Sequence, residues 1–441
     1  MKRLLVMRLL LATISFFLLT GCGNSQKTTQ STANSIDDII NVKEVERIEK
    51  VLAADEMRGR KTFSPEIDKA ADFIAAEFKA AGLQTWNNAV GYRQEFAMIK
   101  AKHIATTASF DEVPVDEKNI IVITCQPQFT INQTTRYQKV FIKKGENLFS
   151  AARKYLQTNN NLLVLVDKSF ANSFGNLSRL RNNMTKTNTN IVFVLSDTEP
   201  TNYEITSTHE ITEQKLANVV GVLPGKSKKD EYVVFSGHYD HLGIGKPVNG
   251  DSIYNGANDD AAGTTAVMVL AKYFKQLNNN ERTIVFVAFT AEEVGGFGSQ
   301  YFSKQMDADK VMAMFNIEMI GTDSKWGKNS AYITGYEKTD MGEILKKDLE
   351  GTAFTFYPDP YPTQNLFYRS DNATLARLGV PAHTISTSKM DNEPNYHKVT
   401  DHVETLDMEN MTMIIKAIAL SSRSIIAGTA TPTRVKVDEL R

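Results

Sequence analysis

The sequence predicts an α/β fold: a mostly parallel, mixed sheet with helices on both faces, into which a second α/β domain is inserted. Three observations predict it. From about residue 216, apolar runs alternate with helical stretches: EYVVFSG, AAGTTAVMVLAKYFKQL, RTIVFVAFT, MAMFNIEMIG and VPAHTIS. Near-continuous apolar strands of this kind suit a parallel sheet buried between two helical layers. Between about 101 and 215 the texture changes. Strand-like runs (NIIVITC, KVFIKK, NLLVLVDKS, NIVFVLS) are separated there by polar segments rich in Asn and Thr, without a ligand-spaced cluster of His, Cys or acidic residues.

The chain opens with a different signal. Lys2, Arg3 and Arg8 flank and interrupt an apolar run that continues to Leu19 and ends at Thr20-Gly21-Cys22. This is a signal-peptide layout over 1–21, too short for a good membrane span. Leu19-Thr20-Gly21-Cys22 resembles the lipobox of bacterial lipoproteins, in which cleavage leaves Cys22 as a lipidated N-terminus. It implies an exported, cell-envelope protein on the periplasmic or surface side, held to the membrane through that lipid; plain secretion is the alternative. Residues 22–36 are polar and read as a flexible tether.

A helical stretch, IDDIINVKEVERIEKVLA, follows the tether. After the loop ADEMRGRKTFS comes a second helix from Ser64-Pro65, with Gly82 as its stop. These spans assign 37–100 and 216–428 to the principal domain, 101–215 to the accessory domain, and 429–441 to a loose tail. With Cys22 lipidated, Cys125 has no partner, so no internal disulfide is possible; its place in NIIVITC suggests a buried, inert thiol. The net charge of −1 gives no basis for nucleic-acid binding or electrostatic membrane binding.

In such sheets ligands bind beyond the carboxyl ends of the strands, and the reactive residues fall there repeatedly. YVVFSG runs into His238-Tyr239-Asp240-His241, TIVFVAFT into Ala291-Glu292-Glu293, and AMFNI into Glu318. Asp259 lies in GANDDAAG just before a helix, and His397 in NEPNYHKVTD after another strand. Asp240 is two residues from His238, so the two point to one side, and its carboxylate can fix the tautomer of a metal-bound ring. Taken singly, each has a plainer explanation: a packed histidine, a helix N-cap at Asp259, an exposed acidic pair at Glu292-Glu293. That pair is costly if buried and unpaired. One carboxylate on a metal and one beside metal-bound water would use both.

Jointly, GHYDHLG, GANDDAAG, AEEVGGFGS, NIEMIG, YRSDNATLARLGVPAHTIS and NYHKVTD resemble, in this order, the motifs of bacterial zinc aminopeptidases. Plasma glutamate carboxypeptidases and glutaminyl cyclases share that zinc exopeptidase fold. The resemblance covers about 37–95 and 216–425, and it places the insertion where relatives carry a protease-associated domain. It implies two Zn2+ ions, with His238 and Glu318 on one, Glu293 and His397 on the other, and Asp259 bridging. It further implies Glu292 as general base, Asp240 orienting His238, Tyr396 donating to the oxyanion, and a cis peptide at Asp259–Asp260. Glu318 departs from the usual aspartate; being one methylene longer, it requires the backbone to stand back from the metal.

The expected activity is hydrolysis of peptide bonds as an exopeptidase, foremost an aminopeptidase. Glutaminyl cyclase, carboxypeptidase or dipeptidase chemistry on the same fold, and a non-catalytic binding lipoprotein, are the alternatives. Arg369 is a candidate for a substrate carbonyl or carboxylate, or else for an ion pair with Asp371. His103, His209, His241, His383 and His402 are not expected to be ligands. Tyr357, Tyr361, Phe367 and Tyr368 are candidates for a pocket wall or for core.

Overall fold

The computed structural model describes residues 35–440, apart from Gln157 and Asn159. The segment expected to be a signal peptide, and Cys22, therefore lie outside the described residues. The first helical stretch forms as two helices rather than one. Ile36–Ile39 stops, and Asn41 then caps a fresh start by accepting from the Glu44 N–H at 3.1 Å. We label the main elements α1 (Val42–Leu52), α2 (Pro65–Ala81), β1 (Arg93–Phe110), β2 (Tyr203–Leu223), β3 (Lys228–His238), α3 (Ala262–Leu277), β4 (Arg282–Phe289), α4 (Phe297–Gln305), β5 (Val311–Ile317), β6 (Ser330–Ile333), β7 (Thr355–Pro358), β8 (Ala382–Ser386) and α5 (Met408–Ser421). As the sequence predicts, α2 starts on a proline and ends at Gly82, whose φ of 77° is left-handed.

The main sheet runs β7-β6-β8-β5-β3-β4-β2-β1. Its centre, β8-β5-β3-β4, is parallel, as is the β7/β6 pair, while β6/β8, β4/β2 and β2/β1 are antiparallel. Alternation along each strand divides the core. Val233, Phe235, Ile284, Phe286, Ala313 and Phe315 face α1, α2, α3 and α5, whereas Val234, Val285, Val287 and Met314 face α4 and the short helix Asn372–Ala376. Phe235 stacks on Phe274, Phe286 and Phe315 with ring centroids 5.5, 5.8 and 4.8 Å apart. Each such fully buried aromatic contributes roughly 1.5–3 kcal/mol.

The inserted region is built on a ribbon. β1 and β2, 18 and 21 residues long, pair along their length and run straight through the points where the sequence texture changes. A second sheet, Ile120–Ile123, Ile191–Leu195, Leu162–Val166 and Gln138–Ile142 in that order, sits on this ribbon. One face holds Val122, Leu163, Leu165, Val192 and Val194 against Phe129, Ile131, Tyr203 and Ile205. The other holds Ile121, Val164 and Phe193 against the helix Leu148–Leu156 and Phe174. Cys125 lies just beyond its strand, half-buried instead of fully buried, and burial raises its thiol pKa.

The tail departs from expectation. Arg282, 1% exposed, donates to the carbonyls of Ile425 and Ala430, the Thr433 backbone N–H bonds Asp340, and the Val435 N–H bonds Gly379 O. A buried guanidinium needs carbonyl partners, and the tail supplies one of them.

Candidate metal centre

Because β4, β3 and β5 are parallel neighbours in register, their carboxyl ends lie side by side. His238 ends β3, Glu292-Glu293 lie in the turn after β4, and Glu318 follows β5 directly. A turn at Ala257–Ala261 brings Asp259 over these ends, its peptide bond to Asp260 cis, and His397 reaches in from the loop after β8.

Asp259 is the meeting point. Its Oδ1 is 3.3 Å from His238 Nε2 and its Oδ2 is 3.2 Å from His397 Nε2, while His397 Nε2 is 3.3 Å from Glu293 Oε2. Two sets of donor atoms, His238-Asp259-Glu318 and His241-Asp259-Glu293, each lie within 4.8 Å of one another and share Asp259. Buried atoms without a hydrogen-bond partner gather here: His238 Nε2, Asp259 Oδ2, Glu293 Oε1, Glu318 Oε2 and both nitrogens of His241. Unpaired buried groups are expensive, and a divalent cation is the partner that such nitrogen and carboxylate donors share. Donors on one tetrahedral zinc at roughly 2.0–2.1 Å stand about 3.3 Å apart, the spacing of three of these contacts. The donor set fits zinc.

The electrostatics follow the crowding of carboxylates. Burial pushes Glu292 well above the usual carboxylate range, with Glu318, Asp371 and Glu293 adding to the rise. Burial also raises Glu318, and it raises Asp371 to about 7. At Glu293 burial is outweighed by His241 and His397, which bring its pKa to about 2. At His397 burial is likewise outweighed, by Asp259 and Glu293, which raise its pKa to about 10. Glu292 and Glu293 thus differ as sequence adjacency alone could not show. Glu293 faces two imidazoles, and Glu292 has no side-chain hydrogen bond or ion pair among the described residues.

Asp240 is placed differently from the expected role. His238 Nδ1 lies 3.1 Å from the backbone carbonyl of Asp240, whereas its distance to the carboxylate is 3.9 Å. That carboxylate accepts instead from the Thr62 hydroxyl and the backbone N–H of Glu292 and of Glu293, at 2.8, 3.0 and 3.4 Å. It holds the Glu292-Glu293 turn, and the carbonyl orients the ring. Tyr396 stacks on His397 at 3.9 Å, and its hydroxyl is 3.4 Å from Arg369. Arg369 makes no ion pair among the described residues and lines an open pocket with Glu318, Tyr332, Met390 and Tyr396. Tyr361 and Phe367 are core, 5% and 4% exposed. Among the set-aside histidines, His383 is packed, its nitrogens 2.8 Å from Thr334 O and Thr339 Oγ1. His402 lies by Asp251, and His103 and His209 lie together in the ribbon. His241 alone joins the cluster.

Three supporting residues escaped the sequence reading. The Asp260 carboxylate accepts from the N–H of His238, Gly263 and Met319, tying three ligand-bearing segments together. Asp401 accepts from Asn258 N and Asp259 N. Arg60, fully buried, donates to the carbonyls of Leu52, Tyr239, Asn255 and Gly256 and so clamps the His238 and Asp259 loops to α1. The run ADEMRGRKT was the available signal: charged residues in a loop beside an apolar helix.

The family described as Peptidase family M28 matches residues 218–421. A probable leucine aminopeptidase of Trichophyton verrucosum is 29% identical over 202 residues, 44% of this chain and 53% of that protein. A probable zinc metalloprotease of Pyrenophora teres f. teres is 34% identical over 251 residues, 51% of each. The matched part thus spans about half the length of these relatives. The solved structure of a zinc aminopeptidase from Bacillus subtilis shares the fold with a TM-score of 0.53 at 16% identity, covering 91% of this chain and 97% of that one. Residues 218–421, the span matched by peptidase family M28, contain His238, His241, Asp259, Glu293, Glu318 and His397.

Proposed function

We propose that this chain is a zinc-dependent exopeptidase, an aminopeptidase that releases N-terminal residues from peptides. The observation that carries the proposal is the buried Asp259 carboxylate, whose two oxygens face His238 on one side and His397 on the other, beside the unpaired Glu292. Two zinc ions are part of the proposal, with His238, Asp259 and Glu318 holding one and Asp259, Glu293 and His397 the other. When bound, zinc supplies a Lewis acid for the scissile carbonyl and lowers the pKa of water.

The chain's own residues supply the rest. Glu292, free of other partners, takes a proton from the attacking water and returns it to the leaving amine, which balances the hydrolysis. Asp240 fixes the Glu292-Glu293 turn through two backbone N–H groups. Burial raises the Tyr396 phenol above its ordinary pKa, which keeps it a hydrogen-bond donor toward developing oxyanion charge. Arg369 lies beside Tyr396 with no carboxylate of its own, placed to contact a substrate carbonyl. The surrounding carboxylates favour a free α-amine, which supports action at the N-terminus.

Export and lipid anchoring at Cys22 belong to the same proposal and are supported by the first 22 residues. Detergent partitioning of the wild type against Cys22→Ala tests them. Metal analysis together with a panel of aminoacyl anilides, N-blocked and C-blocked dipeptides and N-terminal glutaminyl peptides tests the activity. The expected result is two equivalents of zinc and cleavage only of substrates with a free N-terminus. Fewer than one equivalent, or turnover of N-blocked peptides alone, overturns it. Ammonia release from glutaminyl peptides would mark a cyclase.

A further inference from the structure

His241 is the one group at the cluster that the reading above leaves without a task. Its side chain is fully buried, and neither ring nitrogen has a hydrogen-bond partner. Nδ1 is 2.8 Å from Glu293 Oε1, itself unpartnered and out of line for a hydrogen bond, and 3.9 Å from Asp259 Oδ2, also unpartnered. The ring is seated with care. Its backbone N–H donates to Arg60 O at 3.2 Å, and its face lies on Gly256, where a Cβ would stand 2.5 Å from ring carbons. The His241 and His397 ring centroids are 5.8 Å apart, on two sides of the Glu293 carboxylate. An imidazole buried without a hydrogen bond at either nitrogen is costly. Here the groups it faces are carboxylate oxygens in the same condition.

We propose that His241 is a further donor to the cation held by Asp259, Glu293 and His397. This rests on the zinc reading and deepens it. The two positions are then unequal: three side-chain donors (His238, Asp259, Glu318) on one, four on the other. The position with four approaches the closed coordination of a structural zinc, while the His238 position keeps the open place that substrate chemistry requires. The spacing His238-x-x-His241 sends one imidazole to each cation from a single strand end. His241 is also the better anchored of the two imidazoles at its position, because the His397 side chain is 36% exposed on a loop.

The test uses the full chain with its zinc removed and restored. Stepwise zinc affinities come from competition with a chromogenic chelator, and the imidazole count from zinc X-ray absorption. Wild type is expected to bind two ions with three imidazoles between them. His241→Ala is expected to weaken the second equivalent by at least about 100-fold, beyond the 10–100-fold typical of a residue outside the coordination shell, and to leave two imidazoles. His397→Ala is expected to retain a weakened second ion that the double variant His241→Ala/His397→Ala loses, which separates donation from packing. Thermal unfolding of the zinc-free proteins shows that each variant folds. Unchanged second affinity in His241→Ala, a smaller loss with three imidazoles still counted, or identical behaviour of His397→Ala and the double variant each overturns the assignment. A wild type that binds no zinc instead overturns the reading on which it rests.

Discussion

The principal domain and the inserted region bury polar groups in opposite ways. In the insertion they pair with one another: Thr124 with Asn190, Thr106 with Ser207, and Arg181 with the Val122 carbonyl. Among the described residues, only His209 Nδ1 in 101–215 is a buried side-chain atom without a partner. The carboxyl ends of β3, β4 and β5, by contrast, collect a knot of unpaired nitrogens and carboxylate oxygens. A fold tolerates that cost where an absent ligand or the chemistry requires it. The contrast predicts where substitutions will cut activity and where they will cut only stability.

The largest effect is expected at Glu292. Glu292→Gln keeps the shape and removes the base, so kcat should fall by about 10²–10⁴-fold or more while zinc content stays at the wild-type level. Steady-state kinetics on an aminoacyl anilide, paired with metal analysis, checks both halves. Retained turnover would remove Glu292 from the mechanism and break the link between unpaired groups and chemistry.

How much of this was legible beforehand depends on the kind of interaction. His238, Asp259, Glu293, Glu318 and His397 lie on loops and strand ends that the alternating apolar runs already located, so their convergence could be expected from the parallel sheet. What stayed hidden was made by backbone groups. The Asp240 carbonyl orients His238, the four carbonyls around Arg60 bind loops 179 to 196 residues away and one helix end 8 away, and the N–H groups on Asp260 come from three segments. Backbone donors and acceptors carry no residue identity, so no spacing rule reports them. The ribbon was hidden for a related reason: β1 and β2 alternate apolar and polar where one face is exposed, and that weakens the strand signal at the domain boundary.

Arg60 gives the next effect in size. Arg60→Met leaves four buried carbonyls short of a donor, each worth about 1–3 kcal/mol, and frees the His238 and Asp259 loops from each other. Urea unfolding should show a loss of several kcal/mol, and chelator competition a weaker zinc affinity. Arg60→Lys restores the charge without the four-way fork. If Lys rescues both measurements, charge rather than clamping is the property that matters.

A smaller effect, with a sign, belongs to Glu49. Burial, opposed by the Thr265 hydroxyl and by Arg60, raises its carboxyl from 4.5 to about 8. Between those values the folded chain holds a proton that the unfolded chain has released. The contribution is therefore fully present at acid pH and is lost as pH rises through about 8. Glu49→Gln mimics the protonated form, so its stability should fall less than that of wild type between about pH 5 and about pH 8.5. Parallel slopes for the two proteins would place the Glu49 proton elsewhere.

The smallest effect tests the other side of the comparison. Asn190, 5% exposed, accepts from the Thr124 hydroxyl, donates to the Tyr137 hydroxyl at 3.2 Å, and gives its backbone N–H to Asn161 at 2.8 Å. Asn190→Ala strands the Thr124 hydroxyl inside the insertion and should cost about 1–3 kcal/mol there. Hydrogen exchange should rise in Ile120–Ile123 and Ile191–Leu195, the two strands that these bonds tie together. Zinc affinity and kcat on short substrates should stay at wild-type values, because no hydrogen bond of Asn190 reaches a residue of the metal cluster. A fall in either would mean that the insertion reaches the metal centre through the β1/β2 ribbon. Satisfied polar groups in one region would then govern unsatisfied ones in the other.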